Sequence, residues 1–399
     1  MIAVGAVFAL IVSCAAVCTV VPTENVEKTP TPREPTTSST AALLPNGNDE
    51  WRGVWISYRE VAALLKPTPA ETKTAVNTAL DRCQSFGVNT VFFHVHANSD
   101  AYYPSAVFPP VAAVKTLTKQ GFDPLAYVVS AAHSRGLRLH AWLNPYRVGD
   151  GKNAVCADTF SCGGKVYYSP ASETVKQTLL AGIAELLERY DVDGIHFDDY
   201  FYPAGVPSTP QSYDRGYTAK SGSLADWRRA QVSDLVRRTY ALTHEKKPGA
   251  TFGISPAGNP KTDCDRLYAD VERWLKTPGF VDYLCPQLYY GFENSTLPFA
   301  KTVALWNGFA RATGVKLYGG LAVYKAGMRA DVWAGDGATE WLYGGDILAR
   351  QVQTLRETPG ISGFALFGYR YLTAAGFDTA ADPAVVKREL AALKETITA

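Results

Sequence analysis

The sequence predicts an α/β protein, a closed (β/α)8 TIM barrel that follows a non-globular N-terminal stretch. Two observations carry this reading. From Trp51 onward, eight short runs rich in β-branched and aromatic residues alternate with amphipathic helical stretches, the pattern of a parallel sheet joined by crossover helices. No glycine-rich phosphate loop follows the first run, which argues against an open doubly wound sheet, the competing arrangement.

The predicted strands are residues 52–58, 90–97, 137–144, 194–201, 251–257, 281–289, 315–323 and 361–368. Helical periodicity falls between them at residues 72–86, 124–135, 173–190, 224–244, 299–313 and 346–357. Three of these helices run into a glycine just before a strand, in Phe86-Gly87-Val88, Arg135-Gly136-Leu137 and Thr313-Gly314-Val315. A helix that must stop and turn favours glycine there, because a residue without Cβ enters the left-handed region without a clash.

Ahead of the barrel the composition changes twice. Residues 1–21 carry no charge and read as the apolar core of an export signal. Within them Ile11-Val12-Ser13-Cys14 resembles a bacterial lipobox, which makes Cys14 the expected lipidation site, although no Lys or Arg precedes the apolar run. Residues 22–48 are dominated by Thr, Pro, Ser and Glu without hydrophobic periodicity. Such a stretch cannot offset its ordering entropy by burial and reads as a tether. The expected organisation is a signal peptide or lipoprotein anchor over 1–21, a linker over 22–48 and the barrel over 49–399. The chain is expected to be exported, held at the envelope or secreted, and to touch a membrane only through its N-terminal anchor.

Composition narrows the function. At 47% hydrophobic and 19% charged residues the chain can bury a large core, and a net charge of +1 argues for neither nucleic acid nor acidic membranes as partners. The 8 Trp, 22 Tyr and 17 Phe fit either an aromatic core or rings that stack on the flat C–H faces of sugars. Among 7 Cys, Cys156 and Cys162 flank a short polar loop and are expected to form a disulfide in an exporting compartment. A bridge that short would contribute about 2–3 kcal/mol. No C-x2-C pair occurs, which argues against zinc. No cofactor is expected, and the chain is expected to act as a monomer.

Period-two alternation then locates a site, because barrel residues that do not pack on helices point inward. In the fourth run Ile195 and Phe197 alternate with His196, Asp198 and Tyr200. The second run sends His94, His96 and Asn98 inward, the third His140, Trp142 and Asn144, and the sixth Gln287 and Tyr289. Four of the 6 His residues are thus expected in one cavity, at the strand C-termini where barrel sites are built. Asp198 and Asp199 end the fourth run, and a carboxyl pair there points to the acid–base chemistry that cleaves glycosidic bonds. Asp198 faces inward by parity, and Asp199 turns in at the strand end or supports a partner. Asp100 and Glu293 are the loop candidates for a further carboxylate. A site short of carboxylates can still work when the substrate supplies a nucleophile such as an acetamido group. Trp142, Tyr200, Tyr202, Tyr289 and Tyr290 are candidate sugar platforms. Two other readings stand beside this one. The histidines could form the ligand set of a metal-dependent hydrolase, or the barrel could bind glycan without cutting it.

Arg52-Gly53-Val54-Trp55, Asn144-Pro145-Tyr146, the run Asp193-Gly194-Ile195-His196-Phe197-Asp198-Asp199-Tyr200-Phe201-Tyr202-Pro203, and Pro286-Gln287-Leu288-Tyr289 together resemble the glycosyl hydrolase-like ten family, formerly domain of unknown function 187. The resemblance spans residues 51 to about 371. It implies a barrel that hydrolyses envelope glycans, including peptidoglycan strands stripped of peptides. The fourth run is also similar to that of family 18 chitinases, D-G-x-D-x-D-x-E. On that pattern Asp198 matches the second spaced aspartate, His196 replaces the first, and Tyr200 stands where the chitinase acid would be. This departure moves the acid role to Asp198 or Asp199.

Overall fold

A computed structural model describes residues 50–399, so the expected signal, linker and Cys14 lie outside the described residues. Eight parallel strands close on themselves: β1 (Trp51–Ile56), β2 (Thr90–Ala97), β3 (Arg138–Leu143), β4 (Gly194–Phe197), β5 (Thr251–Ile254), β6 (Tyr283–Leu284), β7 (Lys316–Ala322) and β8 (Ile361–Phe367). Each pairs with its sequence neighbours, and β1 pairs with both β2 and β8, which closes the barrel. Every predicted strand is present. Gly87, Gly136 and Gly314 take φ of +84°, +69° and +90° in the turns that lead into β2, β3 and β7, the left-handed conformation expected of them.

The interior is a second core, separate from the one between strands and helices. Trp51, Trp55, Phe92, Trp142, Tyr283, Cys285 and Tyr318 fill it. Such large rings fit only because glycines face them. A Cβ on Gly53 would come within 2.7 Å of the Phe92 ring, one on Gly253 within 2.2 Å of Tyr283, and one on Gly194 within 2.5 Å of His140. Alternating large and absent side chains lets the layers interdigitate at native density.

Several elements depart from expectation in ways that matter for the site. β4 ends at Phe197 and β6 at Leu284, so Asp198, Asp199 and Tyr289 stand beyond the strands. Gln287 keeps only isolated bridges to Ala257 and Gly320. After β3 an unpredicted three-stranded antiparallel sheet rises, made of Arg147–Gly149, Thr159–Cys162 and Lys165–Tyr168. The expected Cys156–Cys162 bridge is absent, and both thiols are free. The Cys156 thiol turns to the Thr178 hydroxyl at 3.2 Å, whereas the Cys162 sulfur lies 3.4 Å from where a Cβ on Gly205 would sit. The loop closes through backbone pairing instead, Cys162 with Lys165 and Thr159 with Tyr168. Beyond β8, helix Pro383–Thr398 packs on helix Ile347–Glu357. There the buried Glu389 accepts from the N–H groups of Ile347 and Leu348 at 2.9 and 3.1 Å, a carboxylate at a helix N-terminus. Among the described residues no helix is long and apolar enough to cross a membrane.

Candidate active site

A cleft of about 720 Å³ opens at the C-terminal end of the barrel, with Asp198 and Asp199 both in its wall. Because β4 stops at Phe197, strand alternation no longer governs the next two residues, and both carboxyls turn inward. The loop that carries them is anchored from below by Arg228. This fully buried guanidinium grips Asp214 through two nitrogens at 2.9 and 2.6 Å and donates to the Tyr268 hydroxyl at 2.9 Å.

Asp198 is 3% exposed and held by three donors. The Trp142 indole N–H reaches its Oδ2 at 3.2 Å, the Asn144 amide donates to the same oxygen, and the Tyr200 backbone N–H reaches Oδ1 at 3.1 Å. Behind Asn144 stands His94. The Tyr58 N–H donates to His94 Nδ1 at 3.2 Å, so Nε2 carries the proton and donates to Asn144 Oδ1 at 3.1 Å. This fixes the amide with its NH2 toward Asp198. His94 also stacks on Trp142 with centroids 3.7 Å apart, and burial keeps it well below the usual imidazole range and hence neutral. A relay of determined polarity, His94 to Asn144 to Asp198, therefore holds the carboxyl in one orientation.

Burial, and then the charge of Asp199, hold Asp198 well above the ordinary carboxylate range, against its donors. Burial raises Asp199 too, opposed by the Gln287 amide and by the charge of Arg147. Two neighbouring carboxyls, one buried and one half-buried, do not both ionise readily, so the pair retains a proton to higher pH than a solvated aspartate would.

The structure sorts the other predicted residues by depth. Tyr200, Gln287 and Tyr289 line the cleft with Trp142, Asn144 and His94, although both His94 nitrogens are already engaged by protein. His96 is a correction. The register between β2 and β3 shifts between His94 and His96, a bulge that reverses parity. The His96 ring consequently packs outward on Phe108 at 4.1 Å, where burial lowers its pKa to about 4. His140 points inward as expected but lines a cavity at the opposite end of the barrel. His196 is enclosed below the cleft floor. Trp55 N–H donates to its Nε2 at 3.0 Å, its Nδ1–H lies 2.9 Å from the Tyr283 hydroxyl, and that hydroxyl lies 3.1 Å from His140 Nδ1. Asn98 lines a neighbouring cavity, and Tyr290 turns from the cleft toward Gly258. Tyr202 is buried beside Arg228. Among the described residues no group of three or more His, Cys, Asp or Glu could hold a metal ion, so the histidines do not form the ligand set that the metallohydrolase reading needs. Of the loop carboxylates, Asp100 lines the neighbouring cavity and Glu293 is exposed.

Residues not anticipated complete the cleft: Trp55, Glu60, Arg147, Ser255, Phe367 and Arg370 among them. Glu60 was legible from Ser57-x-x-Glu60, a capping box directly after a strand. Its carboxylate accepts from the N–H of Ser57 and of Arg370, each at 2.6 Å, and so ties the loop after β1 to the loop after β8. Arg147 carried no local signal, since it enters from the unpredicted sheet.

Residues 50–334 match the model of the family described as Glycosyl hydrolase-like 10. Glycosyl hydrolase DigH of Escherichia coli K12 is 30% identical over 85% of this chain and 87% of its own length. Glycosyl hydrolase YngK of Bacillus subtilis 168 is 31% identical over 69% of this chain and 61% of its own. Among solved structures, the glycoside hydrolase domain of PgaB (BpsB) from Bordetella bronchiseptica superposes with a TM-score of 0.54 at 14% identity, covering 79% of this chain and 93% of that one. A β-galactosidase from Marinomonas ef1 gives 0.53 at 13% identity, over 87% and 58%. At such identities these two speak for the barrel alone. The family match and the sequence relatives go further, and they place a buried carboxyl pair at the mouth of a barrel within a known lineage: this chain belongs to the glycosyl hydrolase-like 10 family and is a glycoside hydrolase.

Proposed function

We propose that the protein cleaves a cell-envelope polysaccharide, peptidoglycan glycan strands or a related amino-sugar polymer, with Asp198 and Asp199 carrying the acid–base chemistry. The observation that supports this most is the proton-retaining carboxyl pair, buried against Trp142 and open to a cleft walled by Tyr58, Tyr200, Tyr289 and Tyr371. Rings of this kind suit the flat faces of sugars. Asp198, oriented by three donors, gives its proton to the leaving glycosidic oxygen as the C–O bond breaks. Asp199 raises the proton affinity of Asp198 through its charge, and afterwards the pair takes a proton back from water. Both carboxyls rise from one strand end and so approach the sugar from one side. Glu60 is committed to two backbone N–H groups. The electron pair that attacks the anomeric carbon then comes from the substrate's own acetamido oxygen, closing an oxazolinium ring that water opens as it returns a proton to the pair, or from water directly, which is why an amino-sugar polymer fits.

We also place the enzyme outside the cytoplasm, with Cys14 as the lipidated residue and residues 22–48 as the tether. Purified glycan strands stripped of peptides, incubated with the enzyme and followed by mass spectrometry, test the reading. Shortened strands with wild type and none with Asp198→Asn are expected. Strands that bind and remain uncut overturn the substrate assignment. Cys14→Ala should release the protein from membranes; unchanged retention would favour an uncleaved apolar anchor.

A further inference from the structure

The catalytic cleft does not end at its own wall. A second cavity of about 390 Å³ adjoins it, and Tyr58, Arg59 and Arg147 line both. Its charge is lopsided, with four cations (Arg59, Arg147, Lys152 and Lys165) against two carboxylates. Asp150 is taken by Lys152 at 2.9 Å. Asp100 is held by the Asn153 amide at 2.6 Å, and burial shifts it toward its neutral form. Positive charge is therefore left over where the two cavities meet.

Arg147 is the centre of that excess. It forms no ion pair among the described residues, and its Nε is buried without a hydrogen-bond partner. The guanidinium lies 4.9 Å over the Tyr200 ring, which holds its plane while leaving the N–H edge unused. Arg59, across the divide, meets only its neighbour Tyr58 among the described residues, the hydroxyl at 3.3 Å and the ring at 5.8 Å, and forms no ion pair there. A buried guanidinium N–H without an acceptor is costly, and a planar fork of donors matches a carboxylate. Arg147 also faces Asp199 across the cleft and lowers its proton affinity, so an anion bound at Arg147 lies within electrostatic reach of the catalytic pair.

We propose that this second cavity is a subsite for an anionic sugar, in which Arg147 and Arg59 grip the carboxylate of a glycan residue next to the one cleaved. The subsite makes the enzyme selective for polymers that bear free carboxylates, and it rests on the reading of the cleft as a glycan-cleaving site. An amidated neighbour offers Arg147 one neutral carbonyl oxygen in place of two charged ones and gives up the charge-assisted, bidentate pairing.

The test uses matched polymers, each in its free-acid form and with its carboxyls converted to primary amides: peptidoglycan strands stripped of peptides, and a uronic-acid-containing amino-sugar polymer. Wild type should favour the acid form by about tenfold to a hundredfold in kcat/KM, the worth of charge-assisted hydrogen bonds. In the Arg59→Gln/Arg147→Gln double variant that ratio should collapse toward one, and Arg147→Lys should keep part of it. Thermal melts verify that the variants fold, and the wild-type ratio alone decides the matter if they do not. Equal cleavage of acid and amide forms by wild type overturns the subsite while leaving glycan cleavage intact. A preference that survives in the folded double variant overturns it as well. Wild type that ignores peptidoglycan strands in both forms but favours the acid form of the uronic polymer overturns the peptidoglycan reading and sustains the subsite.

Discussion

Two cavities of almost the same size sit at opposite ends of this barrel, about 720 Å³ at the strand C-termini and about 750 Å³ at the N-termini. Each has a pair of aspartates in its wall, and Asp193 of the one shifts oppositely to both members of the other. At the lower end Asp193 and Asp282 directly precede β4 and β6. Asp193 accepts from the Leu139 N–H at 2.7 Å and meets His133 at 2.9 Å; Asp282 accepts from the Phe252 N–H at 2.6 Å and meets His244 at 3.1 Å. Burial alone would raise Asp193, but the His133 hydrogen bond and the Leu139 N–H outweigh it and hold its pKa below the usual range. At the upper end burial and mutual charge win, and Asp198 and Asp199 rise. Cavity size does not separate the two ends. What separates Asp193 from Asp198 is the neighbour: a histidine that can carry positive charge stands beside Asp193, whereas a second carboxyl stands beside Asp198 and leaves burial to hold its proton.

The largest expected effect is at Asp198. Asp198→Asn should lower turnover of glycan strands by roughly a hundred- to ten-thousand-fold, the worth of a positioned general acid, with a melting curve near that of the parent. Parent-like turnover in a folded variant would move the chemistry elsewhere. If Asp199→Asn alone were inactive, the acid role would pass to Asp199.

The relay behind Asp198 should be worth less. His94→Ala frees the Asn144 amide, and kcat should fall about tenfold to a hundredfold, the range for partners that orient a reacting group, with KM little changed. A rise in KM at constant kcat would mean that His94 binds sugar directly.

The third prediction concerns pH. The acid must be protonated, so activity falls as pH rises through the raised pKa of Asp198. Asp199→Asn removes the charge that helps raise it. The alkaline limb of the pH–rate profile should therefore move to lower pH, and a limb that stays in place would show that burial alone sets the Asp198 pKa.

The smallest effect belongs to the lower cavity. Asp193→Ala should leave turnover unchanged and lower stability by about 1–3 kcal/mol, because the Leu139 N–H loses its acceptor. The sign of the pH dependence follows from the two shifts. Asp193, with a depressed pKa, contributes above the unfolded carboxylate pKa of about 3.9 and loses that contribution as pH falls through its folded value. His133, whose pKa its Asp193 hydrogen bond raises, contributes below the unfolded imidazole pKa of about 6.5 and loses that contribution as pH rises through its folded value. Urea melts of the parent and the variant should therefore differ most between these limits. A stability gap that does not change with pH would remove His133 from the account.

Much of this was legible beforehand, and the misses share a cause. His94, Trp142, Asn144, Asp198, Gln287 and Tyr289 were read into the mouth from alternation alone and line it. His140 and His196 were assigned the right face and the wrong depth. His96 was assigned the wrong face, because one bulge against β3 reversed its parity. Asp199 was left open because nothing local says that β4 ends at Phe197. Arg147, Arg59 and Arg370 were missed because each comes from a short element beyond a strand end, the sheet strand Arg147–Gly149, the helix Tyr58–Leu64 and the turn Tyr369–Leu372, that the alternation of the eight runs does not reach. The free Cys156 and Cys162 belong with these, since short separation said nothing of which neighbour each sulfur would meet.

The sequence by itself determined the eight strands, the helices between them and, up to the bulge at His96, the inward side of the runs that alternate. All of these follow from interactions within a few residues, namely pleat, helical period and glycine at the turns. Only the tertiary structure decided depth, strand length and protonation. Depth is set by the register of each strand against two others. Strand length is set by where a neighbour's backbone stops pairing. The protonation of Asp198 depends on how much water the whole barrel mouth excludes and on Asp199 turning toward the same pocket. Face is a property of one strand, whereas a site is a property of eight.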